Sequence, residues 1–221
     1  MRVKTDAMRQ AILAAATEVF REQGFERATM SAISERLGGS KATLYGYFGS
    51  KEELIVAVTM EALANESEHI FQAMTHDGDL RAILERGGAA FLKIRLSAGP
   101  LAIQRIVLGQ AGRTDLGAMF YEHGPGKGWR RVADYLEEEM RAGRLRQADP
   151  WIAATQLKAL LEADLVDRAM LGVESEFSAE RIRRSAQAGV DTFLRAYGFD
   201  EALADAAPVE PAVKSKQRVK A

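Results

Sequence analysis

An all-α fold is predicted for this chain of 221 residues, with a small N-terminal helix-turn-helix domain of three helices followed by a larger helical domain. Three observations predict it. Apolar residues recur at helical spacing as far as residue 198, and no strand-like alternation of useful length interrupts them. Ser, Thr and Asp caps and Gly or Pro stops divide these runs into segments of helix length. Within residues 26–54, ERATMSAISERLGGSKATLYGYFGSKEEL, three helix starts follow one another closely.

Residues 6–23 form the first helix, on which Met8, Ile12, Ala15, Ala16, Val19 and Phe20 make one continuous stripe. Gly24 ends it, and Phe25 plugs the gap to the second helix. Thr29 caps that short helix, with Met30, Ile33 and Leu37 inward. Gly38 and Gly39 break it, because glycine accepts the left-handed backbone of a sharp turn. Ser40 caps a third helix whose inner face carries Leu44 and Phe48, four residues apart. Gly49 ends it, and Ser50 with Glu53 makes a capping box that opens a longer helix. Two short helices across a tight glycine turn form a helix-turn-helix, in which the second helix enters the DNA major groove.

The fourth helix runs from Lys51 to about Met74, with Leu54, Val58, Ile70, Phe71 and Met74 inward. After a loop at 76–79, Asp79 caps a helix with Ile83, Gly87, Ala90, Phe91 and Ile94 on one face. Gly99-Pro100 stops it and starts a short helix over 101–109, and another spans 115–123. Gly124-Pro125-Gly126 interrupts the chain. Helix then resumes to Arg141, with Trp129, Val132, Tyr135, Leu136 and Met140 inward. Asp149-Pro150 starts a helix predicted to run unbroken from Trp151 to Leu171, apolar around most of its circumference and so buried on more than one side. Ser178 caps the last helix and Phe177 staples onto Ile182; its stripe continues through Ala186, Gly189, Val190, Phe193, Leu194 and Tyr197. From residue 204 the composition shifts to Ala, Pro, Val and Lys without periodicity, which predicts a disordered basic tail. The expected units are a DNA-binding domain over 6–53, a ligand-binding and dimerisation domain over 54–203, and the tail over 204–221.

Hydrophobic content of 47% and charged content of 28% are those of an ordinary globular protein. Cysteine is absent, which excludes disulfides and thiolate metal sites. No run approaches the roughly 18 apolar residues of a membrane span. The N-terminus lacks a signal-peptide core, so a cytoplasmic location with no membrane partner is expected. Net charge is −1 but uneven: residues 1–51 hold eight basic against five acidic side chains, and the segment from Pro208 holds four against one. A basic head on an acidic body suits one domain that meets phosphate beside one that does not.

On the third helix, Lys41 in the first turn can donate to guanine O6 and N7, and Ala42 can touch a thymine methyl. Thr43, Tyr45 and Tyr47 offer hydroxyls to a phosphate or a base. Thr29, the Gly38-Gly39-Ser40 turn, Lys41-Ala42-Thr43-Leu44-Tyr45, Tyr47-Phe48, Lys51 and Glu53-Leu54 resemble the DNA-binding domain of TetR-type transcriptional regulators, over residues 8 to 58. Gly39 and Gly46 depart from that pattern: a β-branched residue usually packs the turn, and a larger, usually polar residue usually stands at the second position. The resemblance implies base contacts for Lys41, Ala42 and Tyr45, with Ser31 as a further one. It implies backbone phosphate contacts for Thr29, Ser40, Thr43, Tyr47 and Lys51. Residues 80–198 resemble the AefR-like group of TetR C-terminal domains, through FYEHGPGKGWRRVADYL, the turn from Gly143 to Asp149-Pro150, and the apolar helix after it.

One such head reads few base pairs, so a homodimer on a pseudo-palindromic duplex is expected. Its interface is assigned to the last two helices through Leu161, Leu165, Ala186, Gly189 and Phe193, against the simpler reading that these close the monomer's own core. Phe91, Ile94, Ile106, Phe120, Tyr121, Trp129 and Leu160 are candidates to line a pocket for an unidentified small-molecule effector. Glu162 and Asp164, acids in an apolar helix, are expected to pair with Arg105, Arg168 or the partner subunit, in preference to orienting a ligand. A phosphate loop at 124–128 is rejected, because Gly128 stands where Ser or Thr should follow Lys127 and Tyr121 where a glycine should lead. His69, His76 and His123 share no metal-ligand spacing, and no catalytic triad or carboxylate pair stands out, so no cofactor, metal or enzymatic activity is expected. The expectation is a homodimeric repressor released from its operator by a small molecule. The alternatives are an activator or ligand-independent regulator, or a helical small-molecule-binding or catalytic protein that does not read DNA.

Overall fold

The computed structural model describes residues 5–74 and 76–198, with the side chains at 63–67, 69 and 73 outside the description. Eleven helices lie among the described residues: α1 (Asp6–Arg27), α2 (Met30–Leu37), α3 (Lys41–Tyr47), α4 (Lys51–Ala73), α5 (Leu80–Arg95), α6 (Ala98–Gly109), α7 (Leu116–His123), α8 (Pro125–Arg141), α9 (Pro150–Glu162), α10 (Val166–Met170) and α11 (Ala179–Tyr197). The segment over 204–221 lies outside the described residues. None of the described helices is long and apolar enough to cross a membrane.

The caps sit where short-range chemistry puts them. Thr29, Ser40 and Ser50 accept the N–H of Ala32 (3.1 Å), Thr43 (3.1 Å) and Glu53 (3.0 Å). The Glu53 carboxylate reaches back to the Gly49 N–H at 2.6 Å, one residue beyond the usual capping-box partner. Asp79, Asp149 and Ser178 cap α5, α9 and α11 in the same way. Gly24 has φ 75°, so α1 kinks there and its straight part stops where the sequence indicated. Pro100 falls in the first turn of α6, which begins before it at Ala98.

Three apolar clusters organise the molecule. In the head, Ile12, Ala16, Val19, Ile33, Leu44, Phe48 and Leu54 are buried together, drawing on α1, α2, α3, the residue that caps α3, and the start of α4. In the body, α5, α8, α9 and α11 bury Leu92, Leu136, Leu161 and Phe193. Between them, Val56 of α4 meets Ile103, Val107 and Leu116 of α6 and α7. Helix α4 therefore belongs to both units: Leu54, Ala57 and Val58 pack on the head, while Phe71 and Met74 pack on the body.

Three sequence expectations are corrected. The helix predicted over Trp151–Leu171 breaks after Glu162, where the Leu165 N–H bonds the Glu162 carbonyl in a tightened turn, and α10 follows. Arg105 holds the displaced segment by donating to the Ala169 and Met170 carbonyls, and Leu171 ends up 80% exposed. On α5, the deepest residues are Leu84, Gly88 and Leu92, a face rotated from the predicted one; only Ile83 belongs to both. Finally, Leu161, Leu165, Ala186, Gly189 and Phe193 are all buried within the single chain. Gly189 permits the close helix approach its size suggested, but the neighbour is α9 of the same chain: a methyl there would lie 3.0 Å from the Leu160 carbonyl oxygen. These five residues therefore belong to the core and leave any interface to the outward faces of α9 and α11.

One buried charge braces the body. Glu139 of α8 is fully buried and accepts from Arg144 with both oxygens, while His76 donates to it through Nδ1 at 2.8 Å. His76 also meets Glu138 and stacks on Tyr135 at 4.8 Å. Burial pushes the Glu139 carboxyl up, but the Arg144 guanidinium and His76 outweigh it and hold it below its ordinary value.

Candidate functional site

The head presents α3 to solvent. Leu44 and Phe48 anchor it from behind, and Lys41, Ala42 and Tyr45 face outward, Tyr45 with 52% of its surface exposed. Lys41 forms no ion pair among the described residues, so its ammonium is available to a ligand. Ser31, on α2, is half-buried. The turn before α3 is locked from inside. Gly38 takes φ 68°, the left-handed conformation a β-carbon resists. The buried Ser34 hydroxyl donates to the Gly39 carbonyl at 2.9 Å, while the Gly39 N–H returns to the Ser34 carbonyl at 3.3 Å. Sequence reasoning missed Ser34; its one signal was a small polar residue beside the inward Ile33.

The residues assigned to phosphate divide into two groups. Thr29 stands at the start of α2, and Ser40 and Thr43 stand at the start of α3 with their hydroxyls 2.9 Å apart. A cap oxygen accepts from the backbone and keeps its proton as a donor; of Ser40 and Thr43 one proton lies between the two hydroxyls and the other is free to point outward, and helix N-termini favour anions. Tyr47 and Lys51 have internal partners instead. The Tyr47 hydroxyl accepts the Thr5 N–H at 2.8 Å and so ties the start of α1 to α3. Lys51 Nζ donates to the Phe25 and Glu26 carbonyls (2.8 and 3.3 Å) and lies 4.3 Å from the centre of the Phe25 ring. Two of its three hydrogens thus fasten α4 to the end of α1.

The head's positive charge is narrower than composition indicates. Arg36 pairs with Glu18 (2.8 Å) and Glu22 (2.6 Å), which raises the guanidinium's pKa and lowers that of Glu22 while spending its charge inside the head. Lys41 is left as the prominent cation of the α2–α3 face.

A half-open cavity of about 540 Å³, within the range of small-molecule sites, is lined by residues of α4 through α9. Of the seven predicted pocket residues, Phe91, Ile94, Phe120, Tyr121 and Trp129 line it. Phe91 and Trp129 meet edge to face at 5.1 Å. Ile106 and Leu160 do not line it: Ile106 packs into the junction between head and body, and Leu160 packs into the body core beside Gly189. Met74, Ile103, Arg95, Lys158 and Glu162 are among the further wall residues and were not predicted as a set. Glu162 takes Arg95 and Lys158 as partners, whereas Asp164 pairs with Arg181 at 3.7 Å. Gly124 and Gly126 are packing residues, not a phosphate cradle: a methyl on Gly126 would meet the Tyr121 carbonyl oxygen at 2.8 Å.

A solvent-facing helix on a braced helix-turn-helix head, mounted through a shared helix on a larger helical body, is the arrangement of a DNA-binding regulator. Residues 12–58 match the bacterial regulatory proteins of the tetR family, and residues 82–199 match the AefR-like transcriptional repressor C-terminal domain. The chain belongs to the TetR family of transcriptional regulators, with an AefR-like body.

Solved structures agree. A TetR-family regulator from Mesorhizobium loti superimposes with a TM-score of 0.74 at 25% identity, covering 89% of this chain and 100% of that one. The flavonoid-responsive regulator FrrA is 32% identical with a TM-score of 0.66, covering 88% and 98%. Among curated relatives, the transcriptional activator FasR of Mycolicibacterium smegmatis is 38% identical over 90 residues, 41% of either protein. The chain aligns with about two-fifths or less of the length of the first curated relatives it matches.

Proposed function

We propose that this chain is a homodimeric repressor that reads a pseudo-palindromic operator through α3 and is released when a small molecule occupies the body cavity. The observation that carries the DNA reading is the outward presentation of Lys41, Ala42 and Tyr45 on a helix fixed from behind. Lys41 and Tyr45 reach base edges; Thr29, Ser40 and Thr43 bond the phosphates flanking them. Tyr47 and the third hydrogen of Lys51 reinforce that backbone contact. Pairing uses the outward faces of α9 and α11, where Trp151, Ile152 and Ala188 are exposed. Repression is favoured over activation by the AefR-like repressor body, while the relative FasR, named an activator, keeps activation as the second reading. The flavonoid-responsive name of FrrA supports a small-molecule effector.

Release follows from α4. Its first turns pack on the head and its later turns, through Phe71 and Met74, line the cavity. A ligand that displaces the cavity wall tilts both heads of the dimer, and their spacing no longer fits successive major grooves. Converting a mostly competent dimer to a mostly incompetent one requires the ligand to discriminate between the states by about 10⁴, roughly 5.5 kcal/mol.

Lys41→Ala is expected to cost about 1–3 kcal/mol at one operator position and to relax base preference there, read from binding to single-base operator variants. Lys51→Ala is expected to weaken all sequences alike and to lower the salt slope by about one. It should also cost the head about 1 kcal/mol in urea unfolding, because the carbonyls of Phe25 and Glu26 lose their donor. Parental base preference in Lys41→Ala would remove α3 from the bases. A helical binding or catalytic protein without DNA readout predicts no duplex binding at any salt concentration.

A further inference from the structure

We propose that the effector is an amphipathic anion, with an apolar body in the cavity and one carboxylate seated on Arg95 and Lys158. The inference rests on the reading of the cavity as an effector site. Its ground is the charge arrangement where α5 and α9 close one side of that cavity. Arg95, in the last turn of α5, has a side chain only 13% exposed, and its Nε lies 3.2 Å from Glu162 Oε1. Lys158, one turn before Glu162 on α9, bonds the other carboxylate oxygen. Two cations thus share one carboxylate. Arg95 Nη1 is buried with no hydrogen-bond partner, and a charged donor in that condition gains from any ligand that brings an acceptor.

The remaining charges of the lining are mostly positive. Lys127 and Arg131 add two cations, and Glu68, the other carboxylate of the described lining, is already paired with Arg131 at 2.8 Å. His123 is held by the Met119 carbonyl at 2.9 Å. Cations therefore outnumber carboxylates four to two around a chamber otherwise walled by Phe71, Phe91, Trp129 and aliphatic side chains. An inorganic anion would leave those walls uncovered, and a neutral hydrocarbon would leave Arg95 Nη1 unpaired. A carboxylate on two fused rings or a medium-length chain meets both demands, and about 540 Å³ accommodates it.

The test uses the full chain with Trp151→Phe, which leaves Trp129 in the cavity wall as the reporting fluorophore. Naphthalene-2-carboxylate and naphthalene-2-carboxamide share a shape and differ in charge at neutral pH. The carboxylate is expected to bind at least tenfold more tightly. Arg95→Met should weaken carboxylate binding several-fold more than it weakens amide binding, with Lys158 retaining part of the preference. Glu162→Gln should tighten carboxylate binding several-fold, because Arg95 and Lys158 lose their internal competitor, and this arm decides the matter should Arg95→Met fold poorly. Equal binding of the two probes by the parent, or no tightening in Glu162→Gln, would overturn the anion assignment and leave the cavity a small-molecule site. Binding of neither probe would overturn the cavity reading along with it.

Discussion

Glu139→Ala is expected to lower the unfolding free energy by about 3 kcal/mol, measured from the urea midpoint at unchanged slope. The Glu139 side chain is 1% exposed and its carboxylate holds Arg144 and His76. Its loss strands both partners, although each is exposed enough to recover some water, which keeps the cost at the low end for a broken buried pair. The neighbouring Glu138, 55% exposed, is the control: Glu138→Ala should stay within about 0.5 kcal/mol of the parent. A pH signature follows. Burial acting alone would raise the Glu139 pKa; with Arg144 and His76 attached it lies below the ordinary value of 4.5. A carboxyl depressed on folding contributes stability that is present above the unfolded value and is lost as pH falls through the folded one. The stability gap between the parent and Glu139→Gln should therefore narrow as pH drops below 4.5.

Leu44→Ala should abolish operator binding at concentrations that saturate the parent, although no outward-facing group is removed. Leu44 is fully buried in the head cluster with Ile12, Ile33 and Leu54. Truncating such a leucine costs about 2–5 kcal/mol, and a small three-helix head has little stability in reserve. Hydrogen exchange should speed at the α2 and α3 amides while those of α8 and α11 stay protected. Tyr45→Ala, on the exposed side of the same helix, should change stability by no more than about 0.5 kcal/mol yet weaken operator binding. Parental affinity in Leu44→Ala would mean that α3 does not need its anchorage to bind DNA.

Local chemistry made much of the fold legible. A cap is a contact between residues two or three apart, so Thr29, Ser40, Ser50, Asp79, Asp149 and Ser178 could be found without knowing what packs where. The head followed from the glycine turn and from Leu44 and Phe48 four residues apart. What escaped depends on the tertiary neighbour. On α5, both the cavity face with Phe91 and the core face with Leu92 are apolar, and a binding cavity recruits the same residue types as a core. Ala186 and Gly189 announced a close helix approach but could not say that the partner was α9 of the same chain. The break at 163–165 contains neither Gly nor Pro; Arg105 reaching the carbonyls of 169 and 170 holds the segment that follows. Nothing in the sequence separates Arg95 from other cations near a helix C-terminus; only the fold sets it against Glu162 with one nitrogen unpaired.

The central claim is that two copies of α3 face nucleobases at once. Selection of bound sequences from random duplexes, followed by footprinting of the winner with the full chain, addresses it most directly. The expected result is an inverted repeat, with both half-sites protected in major grooves about 10 base pairs apart or at a multiple of that spacing, and affinity that falls steeply between low and moderate salt. Recovery of no enriched sequence, or a single protected half-site whose occupancy is unchanged by Lys41→Ala, would contradict it.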